Sequence, residues 1–129
     1  MPEQGSWEFF SRDELKCKAS GECAMDEAFM QKLVQLRKQY GKPITLSSAY
    51  RSKEHNASVG GAPQSPHIYG KAVDILVYGT DAYRIVHLAL QLGFTGIGVS
   101  QKGDPAKRFI HLDTMESSSS VLRPTIWSY

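Results

Sequence analysis

Ser65-Pro66-His67-Ile68-Tyr69-Gly70-Lys71-Ala72-Val73-Asp74 places a histidine and an aspartate seven positions apart, on either side of a glycine. Both are good ligands for a divalent metal. The stretch lies where a loop passes into a strand, because Ala72 to Tyr78 is rich in β-branched residues. Within that strand Asp74 shares a face with Ala72 and Leu76. An aspartate turned inward there is costly unless a metal or hydrogen bonds satisfy it. Further on, His111-Leu112-Asp113 sets a second histidine and carboxylate on one face of another strand. Two histidines and one carboxylate, with a fourth position left for water, is the catalytic rather than the structural pattern for zinc. Spacing alone leaves a second reading open, in which His67 and Asp74 simply satisfy each other in a polar network.

Around this centre the sequence alternates helix and strand signals. Ser11-Arg12-Asp13-Glu14 is a capping-box pattern behind the aromatic cluster Trp7, Phe9 and Phe10. From the N-cap Asp26 a helix is expected to run to Tyr40, with Phe29, Met30, Leu33, Val34 and Leu36 at helical spacing. Gly41 and Pro43 end it. Ile44 to Ala49 reads as a short strand, and Ser52 caps a second short helix. Val59 to Gln64 is an irregular loop. Thr80 or Asp81 is expected to cap a helix through Leu92, closed by Gly93. Phe94 to Val99 and Phe109 to Thr114 are two more strands joined by a polar turn, and the tail from Ser117 to Tyr129 reads as loop with aromatic anchors. The order predicts an α+β fold, with helices packed on a small, largely antiparallel sheet in a single domain over residues 1–129.

Composition narrows the function classes. A chain of 129 residues with 41% hydrophobic and 22% charged residues suits one soluble core. A formal net charge of +2 does not repel an anionic polymer, but it falls short of a nucleic-acid footprint. No apolar run reaches the roughly 18 residues of a membrane span, so no stable membrane insertion is expected. MPEQGSWEFF has neither a basic nor an apolar signal region, and synthesis in a cytoplasm without a signal peptide is the expectation. Cys17 and Cys23 suit a reduced pair better than a small disulfide loop, although the loop is geometrically possible. Of the other histidines, His87 shares a helix face with Arg84 and Gln91 and reads as a solvated surface residue. His55 reads as structural, at a helix start.

Ser65-x-His67-x-x-Gly70-x-Ala72-x-Asp74 resembles the signature of the zinc D-Ala-D-Ala peptidases, within the larger group of lysostaphin-type enzymes, D-Ala-D-Ala metallopeptidases and Sonic hedgehog. The resemblance extends to Ser48-Ala49-Tyr50-Arg51-Ser52 and Asn56-x-x-Val59-Gly60-Gly61 before it. After it come Gly93-Phe94-x-Gly96-Ile97-Gly98 and Phe109-Ile110-His111-Leu112-Asp113. It implies that His67, Asp74 and His111 bind one Zn²⁺ with water as the fourth ligand. It also implies a substrate in the stem peptides of bacterial peptidoglycan. The bond would be that of a D-Ala-D-Ala carboxypeptidase, or of an L-Ala-D-Glu or D,D-endopeptidase. Small single-domain relatives include bacteriophage endolysins, which accumulate in the host cytoplasm and reach the wall through a separate membrane lesion; a monomer is expected.

In such a mechanism Arg51 resembles the family arginine that holds a substrate carboxylate or developing oxyanion. Ser65 and Tyr69 flank the first ligand and can reach substrate or a ligand's other nitrogen. The general base departs from the family patterns. Some relatives carry a carboxylate three residues before the last zinc histidine, where this chain has Arg108, and others a histidine two before it, where this chain has Phe109. Asp113 is then the candidate base, or a partner that orients His111, with Glu54 and Glu116 as weaker candidates. Two further readings are a wall-binding phage structural or tail module without turnover and a zinc-stabilised interaction domain like that of hedgehog. The bacterial-looking Ser-Ala-Tyr-Arg-Ser and Val-Gly-Gly segments weigh against the last.

Overall fold

The computed structural model describes residues 7–62 and 64–129. The calls that fall on the first six residues and on Pro63 lie outside the described residues. In chain order the elements are α1 (Arg12–Leu15), α2 (Glu27–Tyr40), β1 (Thr45–Ser48), α3 (Lys53–Ser58), β2 (Ala72–Leu76), α4 (Gly79–Leu92), β3 (Gly96–Ser100), β4 (Phe109–Asp113) and β5 (Thr125–Ser128). A single 3-10 turn, Pro105–Lys107, interrupts the link between β3 and β4. The fold is α+β, as expected.

Local chemistry accounts for most of the helix ends. Ser11 and Glu14 form the capping box of α1. Asp26 caps α2 by accepting from Phe29 N at 2.9 Å. At the other end Gly41 takes the left-handed conformation, φ 77°, that a side chain resists. Ser52 Oγ accepts from His55 N at 3.2 Å to start α3. The start of α4 differs from expectation. It begins at Gly79, after Tyr78, and has no side-chain cap. Asp81 is drawn instead to the Lys42 ammonium at 2.7 Å.

The sheet runs β1-β2-β4-β3-β5. The first three pairings are antiparallel, and β5 joins the edge parallel to β3. This last strand corrects the reading of the tail as loop. Ile126 is exposed and the stretch has only weak alternation. Its strand state is set by the open edge of β3, from which Thr95 O and Val99 O accept the amides of Thr125 and Tyr129 at 2.9 and 3.2 Å.

Pleating sorts the strands into two faces. Val73, Ile75, Ile97, Ile110 and Leu112 point to one side, where they form the core with Phe29, Leu33 and Leu36 of α2 and Ile85 and Ala89 of α4. The alternate residues point the other way. In register across five strands lie Ser48, Asp74, His111, Gly98 and Trp127, each directly paired with its neighbour. Directly opposed residues share a face with Cβ atoms about 5 Å apart. The sheet register is therefore what brings Asp74 and His111 together.

Candidate metal centre

His67 is held from three directions on the loop before β2. Its Nδ1 lies 2.7 Å from the Ala49 carbonyl. Its backbone N–H donates to Ser65 Oγ at 3.3 Å, and its carbonyl accepts from Arg51 N at 3.1 Å. A carbonyl only accepts, so Nδ1 carries the proton and Nε2 presents a bare lone pair. That Nε2 is buried and makes no hydrogen bond. It faces Asp74 Oδ1 at 3.3 Å.

His111 repeats the logic in the opposite sense. Its Nε2 lies 2.8 Å from Asp113 Oδ2 and its Nδ1 lies 2.9 Å from Asp74 Oδ1. Asp113 also receives Arg123 Nε on Oδ1 at 3.0 Å and Arg123 Nη2 on Oδ2 at 2.9 Å, so it is an ionised acceptor. Nε2 must then donate to it, which turns the Nδ1 lone pair toward Asp74. Three acceptor atoms, one each from His67, Asp74 and His111, lie within 4.8 Å of one another. Such a cluster demands a cation. Tetrahedral ligands about 2.0–2.1 Å from zinc sit roughly 3.3 Å apart, so the donor set fits Zn²⁺.

With no ion, a proton takes its place. Burial works against the charged form of His111, but its hydrogen bonds to Asp113 and Asp74 and their charges outweigh that and raise its pKa. Burial likewise pushes Asp74 up, while the hydrogen bond with His111 and the closeness of both imidazoles outweigh it and hold its pKa well below the usual carboxylate range. For Asp113 burial is again outweighed, by the bonds from His111 and Arg123, and its pKa settles at about 2. The unfolded value is about 3.9. The contribution of Asp113 to stability is thus fully present above about pH 4 and lost as pH falls through about 2, with roughly 2 kcal/mol at stake. His111 is protonated in both states across that window and does not affect the slope. Urea unfolding of metal-free protein should show this loss between about pH 5 and about pH 2, and a flat profile there contradicts it.

A cleft of about 360 Å³ opens over the centre, lined by Arg51, Gly60, Gly61, Ala62, Ser65, Pro66, His67, Asp74, Phe109, His111, Trp127 and Tyr129. Arg51 donates to Ser48 Oγ at 3.2 Å and to Asn56 Oδ1 at 3.1 Å, and its Nη2 lies 3.7 Å from Asp74 Oδ2. Asn56 is in turn fixed by its Nδ2 on Ala62 O at 2.7 Å. Arg51 is thus braced beside His67, Asp74 and His111 and lines the cleft.

Family membership follows from how the sequence matches known proteins. The profile of the family Peptidase M15 matches residues 8–113, which include every residue of the metal cluster. The chain belongs to this family. It is also similar to a zinc D-Ala-D-Ala carboxypeptidase from Streptomyces albus G, 39% identical over 69 residues. That match covers 53% of this chain and 27% of the relative, so the chain spans about a quarter of the length of the curated protein it matches.

The remaining expectations separate on contact with the geometry. Ser65 lines the cleft and anchors His67 through its backbone. Tyr69 does not line it. The turn from Pro66 to Gly70 swings its ring outward, where it is 49% exposed. Asp113 is fully buried behind the His111 ring, with both oxygens engaged by Arg123, His111 and Met115 N. Of the two roles open to it, the contacts are those of the partner that orients His111, and they leave no oxygen facing the cleft to take a proton. Glu54 and Glu116 are exposed and away from the cleft lining. His87 is exposed on α4, and Cys17 and Cys23 are both free thiols. Sequence reasoning missed Arg123, Trp127 and Tyr129 as site residues. They enter through β5, and a tail read as loop carried no signal for them.

Proposed function

We propose that this chain is a zinc peptidase of bacterial peptidoglycan, hydrolysing peptide bonds in the stem peptide. The bond is that of a D-Ala-D-Ala carboxypeptidase, or of an L-Ala-D-Glu or D,D-endopeptidase. The observation that carries the reading is the convergence of three buried acceptor atoms beside a braced arginine, at the floor of an open cleft. The family and the carboxypeptidase relative support peptide hydrolysis.

His67, Asp74 and His111 would hold the ion, which would supply Lewis-acid polarisation of a carbonyl and activation of water at neutral pH. Arg51 offers a fork of donors to a substrate carboxylate or to the oxygen that gains charge during attack. Phe109, Trp127 and Tyr129 form an aromatic wall, with the Phe109 and Tyr129 rings 5.1 Å apart. That wall shields the centre and packs against substrate. Beyond the three ligands, the ionisable groups lining the cleft among the described residues are Arg51 and Tyr129.

The lack of a free carboxylate in that lining favours one second reading, a wall-binding module of the same fold that does not turn over. Zinc-loaded protein incubated with purified peptidoglycan decides between them. Release of free amines, abolished by chelator, is expected, and mass spectrometry of fragments from a defined muropeptide identifies the bond. Tight binding with no released amine defeats the enzyme reading. Arg51→Ala should lower kcat/KM by about 10²–10³-fold, the range for losing one preorganised donor, with zinc content intact. Arg51→Lys restores little, because a point charge does not reproduce the fork.

The endolysin role is part of the same proposal. A phage-encoded chain made in the host cytoplasm acts on the wall after a separate lesion, as a monomer. No helix among the described residues is long and apolar enough to cross a membrane. Lysis of host cells on co-expression with a membrane-permeabilising protein, and none without it, tests this.

A further inference from the structure

Two side chains of the tail, Arg123 and Trp127, converge on the surroundings of His111. Arg123 grips both oxygens of Asp113, at 3.0 and 2.9 Å, and Asp113 grips His111 Nε2 at 2.8 Å. The Arg123 guanidinium lies 5.1 Å from the centroid of the Trp127 ring, and that ring lies 5.2 Å from the His111 ring. Arg123 is itself placed by its Nη1 on Leu122 O at 2.8 Å and its backbone N on Ser117 Oγ at 3.3 Å. Ser117, Leu122, Arg123 and Trp127 all lie beyond residue 113, where the match to the family ends.

We infer that Arg123 is a positioning residue of the metal centre, and that the segment from Ser117 to Tyr129 completes it. Three physical points support this. A lone aspartate beside His111 could rotate about its side-chain bonds, and that would free the ring to flip. Two parallel bonds from Arg123 fix the carboxylate plane. Asp113 then fixes the Nε2 proton, and Trp127 closes the face of the ring, so the Nδ1 lone pair has one direction open to it, toward Asp74 and His67. Outer partners of this kind set both ring orientation and ligand basicity.

The same arrangement explains two glycines. A Cβ at Gly96 would overlap the Asp113 carboxylate, and one at Gly98 would come within 2.7 Å of the Trp127 indole. β3 thus yields side-chain space on this face to the relay and to the ring that covers it.

The inference rests on the metal-site reading but not on the substrate, and it is tested without activity. Zinc affinity is measured by competition with a chromophoric chelator for wild type, Arg123→Met, Arg123→Lys and His67→Ala, with the visible spectrum of the cobalt-substituted proteins as a second readout. Arg123→Met should bind zinc about 10–100-fold more weakly and give an altered cobalt spectrum, with Arg123→Lys in between. A tail that serves stability alone would lower the melting temperature of metal-free protein and leave the affinity of the folded protein unchanged. Affinity of Arg123→Met within twofold of wild type, alongside loss of zinc in His67→Ala, overturns the inference. Wild-type affinity in His67→Ala instead overturns the metal site itself. If Arg123→Met does not fold, the double variant Asp113→Asn with Arg123→Gln removes the buried charge imbalance and carries the same comparison. Unchanged affinity there is equally fatal.

Discussion

His67→Ala should bind no stoichiometric zinc and show no hydrolysis, whereas His87→Ala should keep both. The contrast is large because the two histidines differ in everything except residue type. His67 is 2% exposed, its Nδ1 proton is consumed by Ala49 O, and its Nε2 has no partner but the site. His87 stands in solvent on α4. Loss of an outer partner already costs a metal site about 10–100-fold in affinity, so loss of a ligand should cost at least about 100-fold. His111→Ala should behave as His67→Ala does. Zinc content after gel filtration, by metal analysis, decides the matter. An unchanged stoichiometry in His67→Ala would falsify the assignment. The variant also strands the Ala49 carbonyl in the interior, an unsatisfied group that costs about 1–3 kcal/mol. Circular dichroism must therefore show a folded protein before zinc is counted.

The second large effect is expected from a residue with no side chain. Gly96→Ala should destabilise the metal-free protein by about 3 kcal/mol, the upper end of the range for overpacking a filled interior. The added methyl overlaps the Asp113 carboxylate, which is 0% exposed and pinned by Arg123 and His111. Gly96 is directly paired with Asp113 across the β3–β4 ladder, so neither backbone can yield without breaking sheet hydrogen bonds. The carboxylate must move instead, and a displaced Asp113 leaves the Arg123 charge without its partner; breaking a buried pair costs about 3–5 kcal/mol. A fall in melting temperature of about 10 °C should accompany it. Ala at Gly103, where no atom lies within 4 Å of an added Cβ, bears only the local strain of its φ of +77° and serves as the comparison. A Gly96→Ala protein as stable as wild type would show that the relay is looser than the contacts indicate.

Much of this molecule could be read from residue order because its signals are local. Helix caps at Ser11, Asp26 and Ser52 act within three residues. The alternation that turns Val73 and Ile75 inward and Asp74 to the other face is a property of one strand. The ligand set was legible for the same reason, since His67 and Asp74 flank a single turn and His111 sits in a strand of fixed period. What failed depended on other parts of the chain. Thr80 and Asp81 looked like caps, but Lys42, far off in sequence, claims Asp81.

Residue types and spacing by themselves determined the α+β class and brought out His67, Asp74 and His111 as ligand-type residues. The three-ligand set and the arginine beside it came from the resemblance to the zinc D-Ala-D-Ala peptidases. The tertiary structure alone decided that the tail becomes β5, because a strand on a sheet edge is stabilised by backbone groups of a distant neighbour that no local pattern reveals. It also decided what Asp113 touches. His-x-Asp puts the carboxylate on the same strand face as the ligand, but whether it meets the cleft or the interior depends on what covers that face. Here Arg123, ten residues later, covers it and holds the carboxylate against His111.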